Sequence, residues 1–146
     1  MPEPETAHPP DVCWPVGGEI DIMESTAVGS DDPSLYRAFG SYRWGTECRV
    51  NKQLLPGSVY PAIGDKPVNF ADEYHTFGVD WTKDAIRYHI DGHFYHNKTS
   101  AEVPIPQDPF YWILDSAVAW YFPPGPDAQY PAYHLVDWVG VCDPVN

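Results

Sequence analysis

Alternation between apolar and polar residues is the main feature of the chain after residue 12. It is clearest in AIRYHIDGHFYH, where Ile86, Tyr88 and Ile90 alternate with polar residues before the pair Asp91-Gly92. A period of two is that of a β-strand, and Asp-Gly is a favoured two-residue hairpin turn. The pattern therefore predicts a β-hairpin over residues 85–96.

Other segments also have the length and composition of strands. Residues 36–44 and 74–81 alternate aromatic with small or polar side chains, whereas residues 110–119 and 134–142 are nearly continuous apolar runs. Such runs are typical of strands covered on both faces of a sandwich. Since 17 prolines and 11 glycines disfavour long helices, the pattern predicts an all-β fold with two sheets packed face to face.

Length and charge limit the domain organisation and the classes of partner. A chain of 146 residues is about one domain long. Residues 1–12 are polar and proline-rich, which predicts a disordered loop before the domain of residues 13–146. A net charge of -13 disfavours nucleic acid and anionic membranes and suits a neutral or cationic partner. The sequence contains neither a membrane-spanning apolar run nor the start of a signal peptide.

An acidic strand predicted over residues 18–24 contains the candidate chemistry. In GGEIDIME the acids Glu19, Asp21 and Glu24 alternate with apolar residues, first two and then three positions apart. On a regular strand Glu19 and Asp21 share a face, and Glu24 points the other way. One extra residue in a β-bulge, most simply at Met23, would return Glu24 to the shared face.

Clustered carboxylates suit acid–base and nucleophilic chemistry. Because full ionisation of neighbouring acids is costly, one tends to hold its proton while another stays charged. Retaining glycosidases use such a pair, with the carboxyl groups about 5 to 5.5 Å apart. A solvated acidic edge strand or a cation site would also account for three acids, and the segment alone leaves these alternatives open.

The longer stretch WPVGGEIDIMES resembles the signature of glycoside hydrolase family 16, in the laminarinase-like branch with the bulged form Glu-x-Asp-x-x-Glu. Later segments continue the resemblance: YHTFGVDWTKDAIRYHIDGHFYH, PFYWILDSAVAW and HLVDWVGV. The resemblance implies a β-jelly-roll sandwich, concanavalin-like and incomplete at its N-terminus, whose concave sheet holds a β-glucan. Residues 13–146 would then be the C-terminal part of the catalytic domain.

The resemblance also implies roles for the acids. Glu19 would be the nucleophile and Glu24 the acid/base, and Asp21 would orient the nucleophile and tune the protonation of both. Trp14 stands where that branch commonly has a tryptophan lining the sugar groove. Trp44, after the second strand, is our other candidate for stacking on a sugar.

Two departures from the family pattern affect the expected activity. Arg43 occupies a place where the family usually has histidine, and we assign it to the substrate-binding groove. Its guanidinium would stabilise the charged form of Glu24 and oppose proton donation, so activity would fall or its optimum would move to lower pH. Family domains also have strands before the acidic one, and without them apolar faces would be exposed.

Core packing is the expected role of three further tryptophans, which have apolar neighbours on predicted strands. Those tryptophans are Trp81, Trp112 and Trp138. The three cysteines Cys13, Cys48 and Cys142 lack metal-ligand spacing; one disulfide and one free thiol would fit them, with the pairing open.

No cofactor or metal is predicted for this chain. Many relatives hold a calcium ion near the place of Asp137, so calcium remains possible in a full-length domain. The leading hypothesis is a monomeric, extracellular, retaining endo-glycosidase acting on β-1,3 or mixed β-1,3-1,4 glucan. The alternative is a β-glucan-recognition protein, or an inactive fragment, of the same fold.

Overall fold

The computed structural model describes residues 13–25, 38–50, 52–54, 62–63, 66–67, 69–70, 72–117, 125–126 and 128–143. The regular elements are strands: β1 (Glu19–Glu24), β2 (Phe39–Trp44), β3 (Lys52–Leu54), β4 (Ala62–Ile63), β5 (Lys66–Pro67), β6 (Phe77–Trp81), β7 (Ala85–Ile90) and β8 (His93–Thr99). No helix occurs in these ranges, which confirms the predicted all-β class. The predicted loop of residues 1–12 lies outside them.

Every pair of strands in the described ranges is antiparallel. The sheets have the orders β1-β2-β3, β4-β5 and β6-β7-β8. The predicted hairpin is present as β7 and β8, which pair from Ile90 and His93 outward. At its turn, Asp91 and Gly92 have φ values of 50° and 79°, the left-handed backbone that a tight hairpin turn requires.

The core lies between the sheet that contains β1 and β2 and the sheet that contains β7. Ile86 and Tyr88 of β7 are fully buried and pack with Tyr42 of β2. The Tyr88 ring lies directly on Gly40, where an added Cβ would come within 2.3 Å of Cδ1 of that ring. The Tyr88 hydroxyl also donates to the Ser41 carbonyl oxygen at 2.8 Å. This contact sets the position of β2 against the core.

Two side chains fix the segment after β8 to the core. The Tyr42 hydroxyl donates to the Pro104 carbonyl oxygen at 2.8 Å, and Trp81 Nε1 donates to the Pro106 carbonyl oxygen at 2.9 Å. Trp81 is half-buried and packs against the core, as predicted. The segment covers the side of the β1–β2 sheet that faces away from the acids.

The strands predicted over residues 110–119 and 134–142 are wrong where the structure describes them. Residues 111–117 and 134–142 are irregular, with a single bridge at Phe110. Trp112 and Trp138, predicted to lie in the core, are 50% and 66% exposed. A continuous apolar run becomes a strand only where neighbours pair its backbone and cover both faces, and no described strand does so here. Large apolar side chains of both segments, such as Leu114 and Leu135, are therefore exposed.

Among the described residues, no helix has the length and apolar character needed to cross a membrane.

Candidate active site

A register shift in the pairing of β1 with β2 creates the site. Asp21 pairs with Ser41, but Glu24 pairs with Phe39, so Ile22 and Met23 together lie opposite a single residue of β2. That extra residue is the β-bulge predicted from the spacing of the acids. The bulge shifts the alternation of side chains between the two faces of the sheet, so that Glu24 lies on the same face as Glu19 and Asp21.

Arg43 of β2 contacts the carboxylates of all three acids. Its Nε lies 2.9 Å from Asp21 Oδ2 and 4.0 Å from Glu19 Oε2, and its Nη2 lies 2.9 Å from Glu24 Oε1. Each of these side chains is at least two-thirds buried, so the attraction is screened less than at an open surface. One guanidinium therefore holds the three predicted catalytic acids in one cluster.

Ser41 is a member of the cluster that the sequence analysis did not select. Its backbone pairs with Asp21, and its side chain points to the same face as Arg43 two residues later. Ser41 Oγ lies 2.5 Å from Asp21 Oδ2 and 2.9 Å from Glu24 Oε2, and the residue is fully buried. Only the pairing register, which the sequence does not state, identifies this serine as a neighbour of the acids.

Trp14 lies at the Glu19 end of the cluster. Its indole Nε1 donates to Glu19 Oε2 at 2.5 Å, and 43% of the residue is exposed. A disulfide between Cys13 and Cys48 answers the open question of cysteine pairing and ties this segment to the loop after β2, while Cys142 is a free, exposed thiol. An exposed ring beside a carboxylate is available for stacking on the apolar face of a sugar.

Burial raises the pKa of Glu19. The hydrogen bond from Trp14 and the positive charge of Arg43 oppose this rise, and the negative charge of Asp21 adds to it. The balance favours a protonated Glu19 at acidic pH. This result matters for the assigned roles, because a nucleophile must be ionised to attack.

Trp44 is not brought beside the acids. Its ring stacks on Tyr42 with a centroid distance of 5.3 Å and an interplanar angle of 13°, and it packs against the core. It lines a cavity of about 650 Å³ that also has Gly18, Ile105 and Asp108 in its wall. The structure thus places Trp14 and Arg43 at the carboxylates and Trp44 on the opposite face of β2.

In the described ranges, no group of three or more His, Cys, Asp or Glu side chains is arranged to hold a metal ion. The side chains of the acid cluster instead face an internal cation, Arg43, and a hydroxyl group, Ser41.

The structure thus gathers two glutamates and an aspartate on one face of a bulged strand, and a pair of carboxyl groups flanking the scissile bond is a feature of most glycoside hydrolases. The family model described as "Glycosyl hydrolases family 16" matches residues 16–140. The chain therefore belongs to glycosyl hydrolase family 16, whose fold is a β-jelly-roll sandwich.

Several curated proteins are similar to this chain. "Glucan endo-1,3-beta-glucosidase A1" of Niallia circulans is 31% identical over 88% of the chain and 19% of its own length. "Beta-glucanase" of Rhodothermus marinus is 26% identical over 88% of the chain and 45% of its own length. "Beta-1,3-glucan-binding protein" of Penaeus monodon is 36% identical over 53% of the chain and 21% of its own length.

The chain thus spans between a fifth and somewhat under half of the length of these relatives. No solved structure matches it.

Proposed function

We propose that this chain carries the catalytic acids of a retaining endo-glycosidase that hydrolyses β-1,3-glucan, or mixed β-1,3-1,4-glucan. The observation that carries the proposal is the bulge in β1, which gathers Glu19, Asp21 and Glu24 around Arg43. The names of two relatives, a glucan endo-1,3-beta-glucosidase and a beta-glucanase, support a glucan as the substrate.

In the proposed double displacement, the Glu19 carboxylate attacks the anomeric carbon while the bond to the leaving oxygen breaks. Glu24 donates its proton to that oxygen, so a glycosyl ester of Glu19 and a free sugar hydroxyl result. Glu24, now ionised, takes a proton from water as the water oxygen attacks the anomeric carbon. The ester bond breaks, Glu19 regains its charge, and both carboxyl groups return to their starting states.

The substrate class is supported by the surface around the acids. The exposed Trp14 ring adjoins Glu19 and offers an apolar face to a pyranose ring. A neutral polysaccharide is not repelled by a chain of net charge -13. The Cys13–Cys48 disulfide suits an oxidising compartment, which supports action outside the cell. We propose that the protein acts there as a monomer, without a cofactor.

Recognition of β-glucan without cleavage is the second candidate function. The contacts between Arg43 and Glu24 favour it, because a guanidinium on the acid/base stabilises the form that has no proton to donate. The similarity to a protein named for binding β-1,3-glucan is consistent with it. Under this alternative, Trp14 and the acids would hold a sugar without breaking a bond.

Release of reducing ends from laminarin and from lichenan separates the two functions. The wild type, Glu19→Gln and Glu24→Gln are compared, with Glu73→Gln, an exposed acid outside the cluster, as the matched control. Hydrolysis by the wild type and the control, with loss in the two site variants, supports the glycosidase. Retention of insoluble β-1,3-glucan without release of reducing ends by any variant supports recognition instead. Proton NMR of the first product anomer tests retention of configuration.

A further inference from the structure

The hydroxyl of Ser41 lies within hydrogen-bond distance of two carboxyl groups, although it has a single proton to donate. Ser41 Oγ is 2.5 Å from Asp21 Oδ2 and 2.9 Å from Glu24 Oε2. If both carboxyl groups were ionised, one of these contacts would place two lone-pair-bearing oxygens together with no hydrogen between them. A proton on one of the two acids removes this conflict.

The surrounding contacts indicate which acid holds that proton. Asp21 Oδ2 also accepts from Arg43 Nε at 2.9 Å, a closer contact than the 3.1 Å between Glu24 Oε2 and Arg43 Nη2. The hydroxyl of Ser41 is also closer to Asp21 Oδ2 than to Glu24 Oε2, at 2.5 Å against 2.9 Å, so Asp21 is the better acceptor of its proton. Glu24 Oε2 also accepts from Arg43 Nη2, but at 3.1 Å against 2.9 Å for Oε1, so it is the oxygen of Glu24 that the guanidinium holds less closely and the one that faces Ser41.

We propose that Ser41 is a positioning residue that keeps Glu24 in its proton-donating form, by accepting a hydrogen bond from Glu24 while donating one to Asp21. The chain of bonds runs from the Glu24 carboxyl through the Ser41 hydroxyl to the Asp21 carboxylate. This proposal rests on the proposed glycosidase function and adds a role that opposes the effect of Arg43 on the same acid. Ser41 acts through Glu24 and does not itself touch the substrate.

The backbone holds Ser41 in place for this role. The residue is fully buried on β2, and its carbonyl oxygen accepts a hydrogen bond from the core residue Tyr88 at 2.8 Å. Its neighbour Gly40 lies against the ring of the same tyrosine. The hydroxyl group therefore has little freedom to leave the two acids, and the arrangement is ready before a substrate binds.

The test compares Ser41→Ala with Ser41→Thr, which keeps a hydroxyl group, and with Ser100→Ala, an exposed serine, as the matched control. Aryl β-laminaribiosides with good and poor leaving groups are the substrates, because 2,4-dinitrophenolate departs without a proton and phenol requires one. We expect Ser41→Ala to lower kcat for the phenyl glycoside by about tenfold or more and to change the dinitrophenyl glycoside by about twofold or less. We expect Ser41→Thr to restore the phenyl activity.

An equal loss on both glycosides in a folded Ser41→Ala variant would show a purely structural role and overturn the proposal. No loss on either glycoside would overturn it as well. Thermal unfolding of the variants establishes that each is folded, and Ser41→Cys, whose thiol is a weaker donor and acceptor, carries the comparison if the alanine variant does not fold.

A second measurement does not depend on turnover. Carbon-13 NMR of the side-chain carboxyl groups is expected to show that Glu24 keeps its proton to a higher pH in the wild type than in Ser41→Ala. Loss of that proton at the same or a lower pH in the wild type contradicts the role of Ser41. If the wild type hydrolyses none of the glycosides or glucans, the proposed function fails, and the titration alone still decides the role of Ser41.

Discussion

Arg43 Nη2 lies 2.9 Å from one carboxyl oxygen of Glu24 and 3.1 Å from the other. The residue proposed to donate a proton is thus held by a permanent cation, which favours its ionised form. A histidine at that position can be neutral at the pH where Glu24 must donate. Arg43 therefore opposes the proposed reaction, whereas Ser41 supports it.

Replacing Arg43 by histidine is expected to raise kcat on laminarin by roughly tenfold near neutral pH. The physical reason is that the fixed positive charge beside Glu24 opposes transfer of a proton from this carboxyl group to the leaving oxygen. The profile of kcat against pH provides the measurement, and Arg87→His, an exposed arginine on β7, is the control. Superimposable profiles for Arg43→His and the wild type would mean that the guanidinium does not influence proton donation.

The acidic limb of the profile is expected to follow Glu19. Burial raises the pKa of this carboxyl, and the nucleophile is active only when ionised. Activity should therefore be lost as the pH falls through a value above the ordinary range of a glutamate. The hydrogen bond from Trp14 lowers the pKa of Glu19, so Trp14→Phe should move this limb to still higher pH.

The profile of kcat/KM against pH tests this expectation, with Trp112→Phe, an exposed tryptophan, as the control. A limb that moves to lower pH in Trp14→Phe would show that the indole does not stabilise the charged nucleophile.

The bulge in β1 could be predicted from the sequence because it depends only on the spacing of the acids within one strand. Acids two and three positions apart can share one face of a strand only if an extra residue lies between Asp21 and Glu24. Ser41 could not be identified in that way, since its place beside the acids depends on the register between β1 and β2. A shift of one residue would have turned its side chain to the core.

The apolar runs at 110–117 and 134–142 are segments whose structure could not be predicted from their own sequence. Their composition is typical of buried strands, but a strand forms only where a neighbour accepts its backbone hydrogen bonds. That condition is a property of the assembled sheet, and the sequence of the segment does not contain it. Trp112 and Trp138 were assigned to the core on composition and are exposed for this reason.

The two tryptophans assigned to substrate binding are expected to behave differently. Trp14 is exposed beside Glu19, whereas Trp44 stacks on Tyr42 on the other face of β2. Trp14→Ala should weaken binding of laminarin oligosaccharides by about tenfold with little effect on folding. Trp44→Ala should lower the free energy of unfolding by about 2 kcal/mol, less than for a fully buried tryptophan because the ring is half-buried.

Isothermal titration calorimetry and urea unfolding separate these two effects. A loss of oligosaccharide affinity in a stably folded Trp44→Ala variant, as large as that of Trp14→Ala, would place Trp44 at the substrate after all.

Gly40 is expected to be necessary for the geometry of the acid cluster, although it has no side chain that could bind the carboxylates. An added Cβ would lie 2.3 Å from Tyr88 Cδ1 and 3.0 Å from the Asp21 carbonyl oxygen, so β1, β2 or the tyrosine must move. Gly40→Ala should cost about 1–3 kcal/mol of stability, the usual range for overpacking in a core. It should also lower kcat, because the displaced strand carries Ser41 and Arg43. Gly140→Ala is the control, since its added Cβ would come no closer than 3.6 Å to its nearest neighbour, the Trp138 ring. Thermal unfolding together with laminarin turnover measures both effects. Full activity in a destabilised Gly40→Ala variant would show that the cluster tolerates movement of β2, and the close fit of Tyr88 on Gly40 would then serve the core alone.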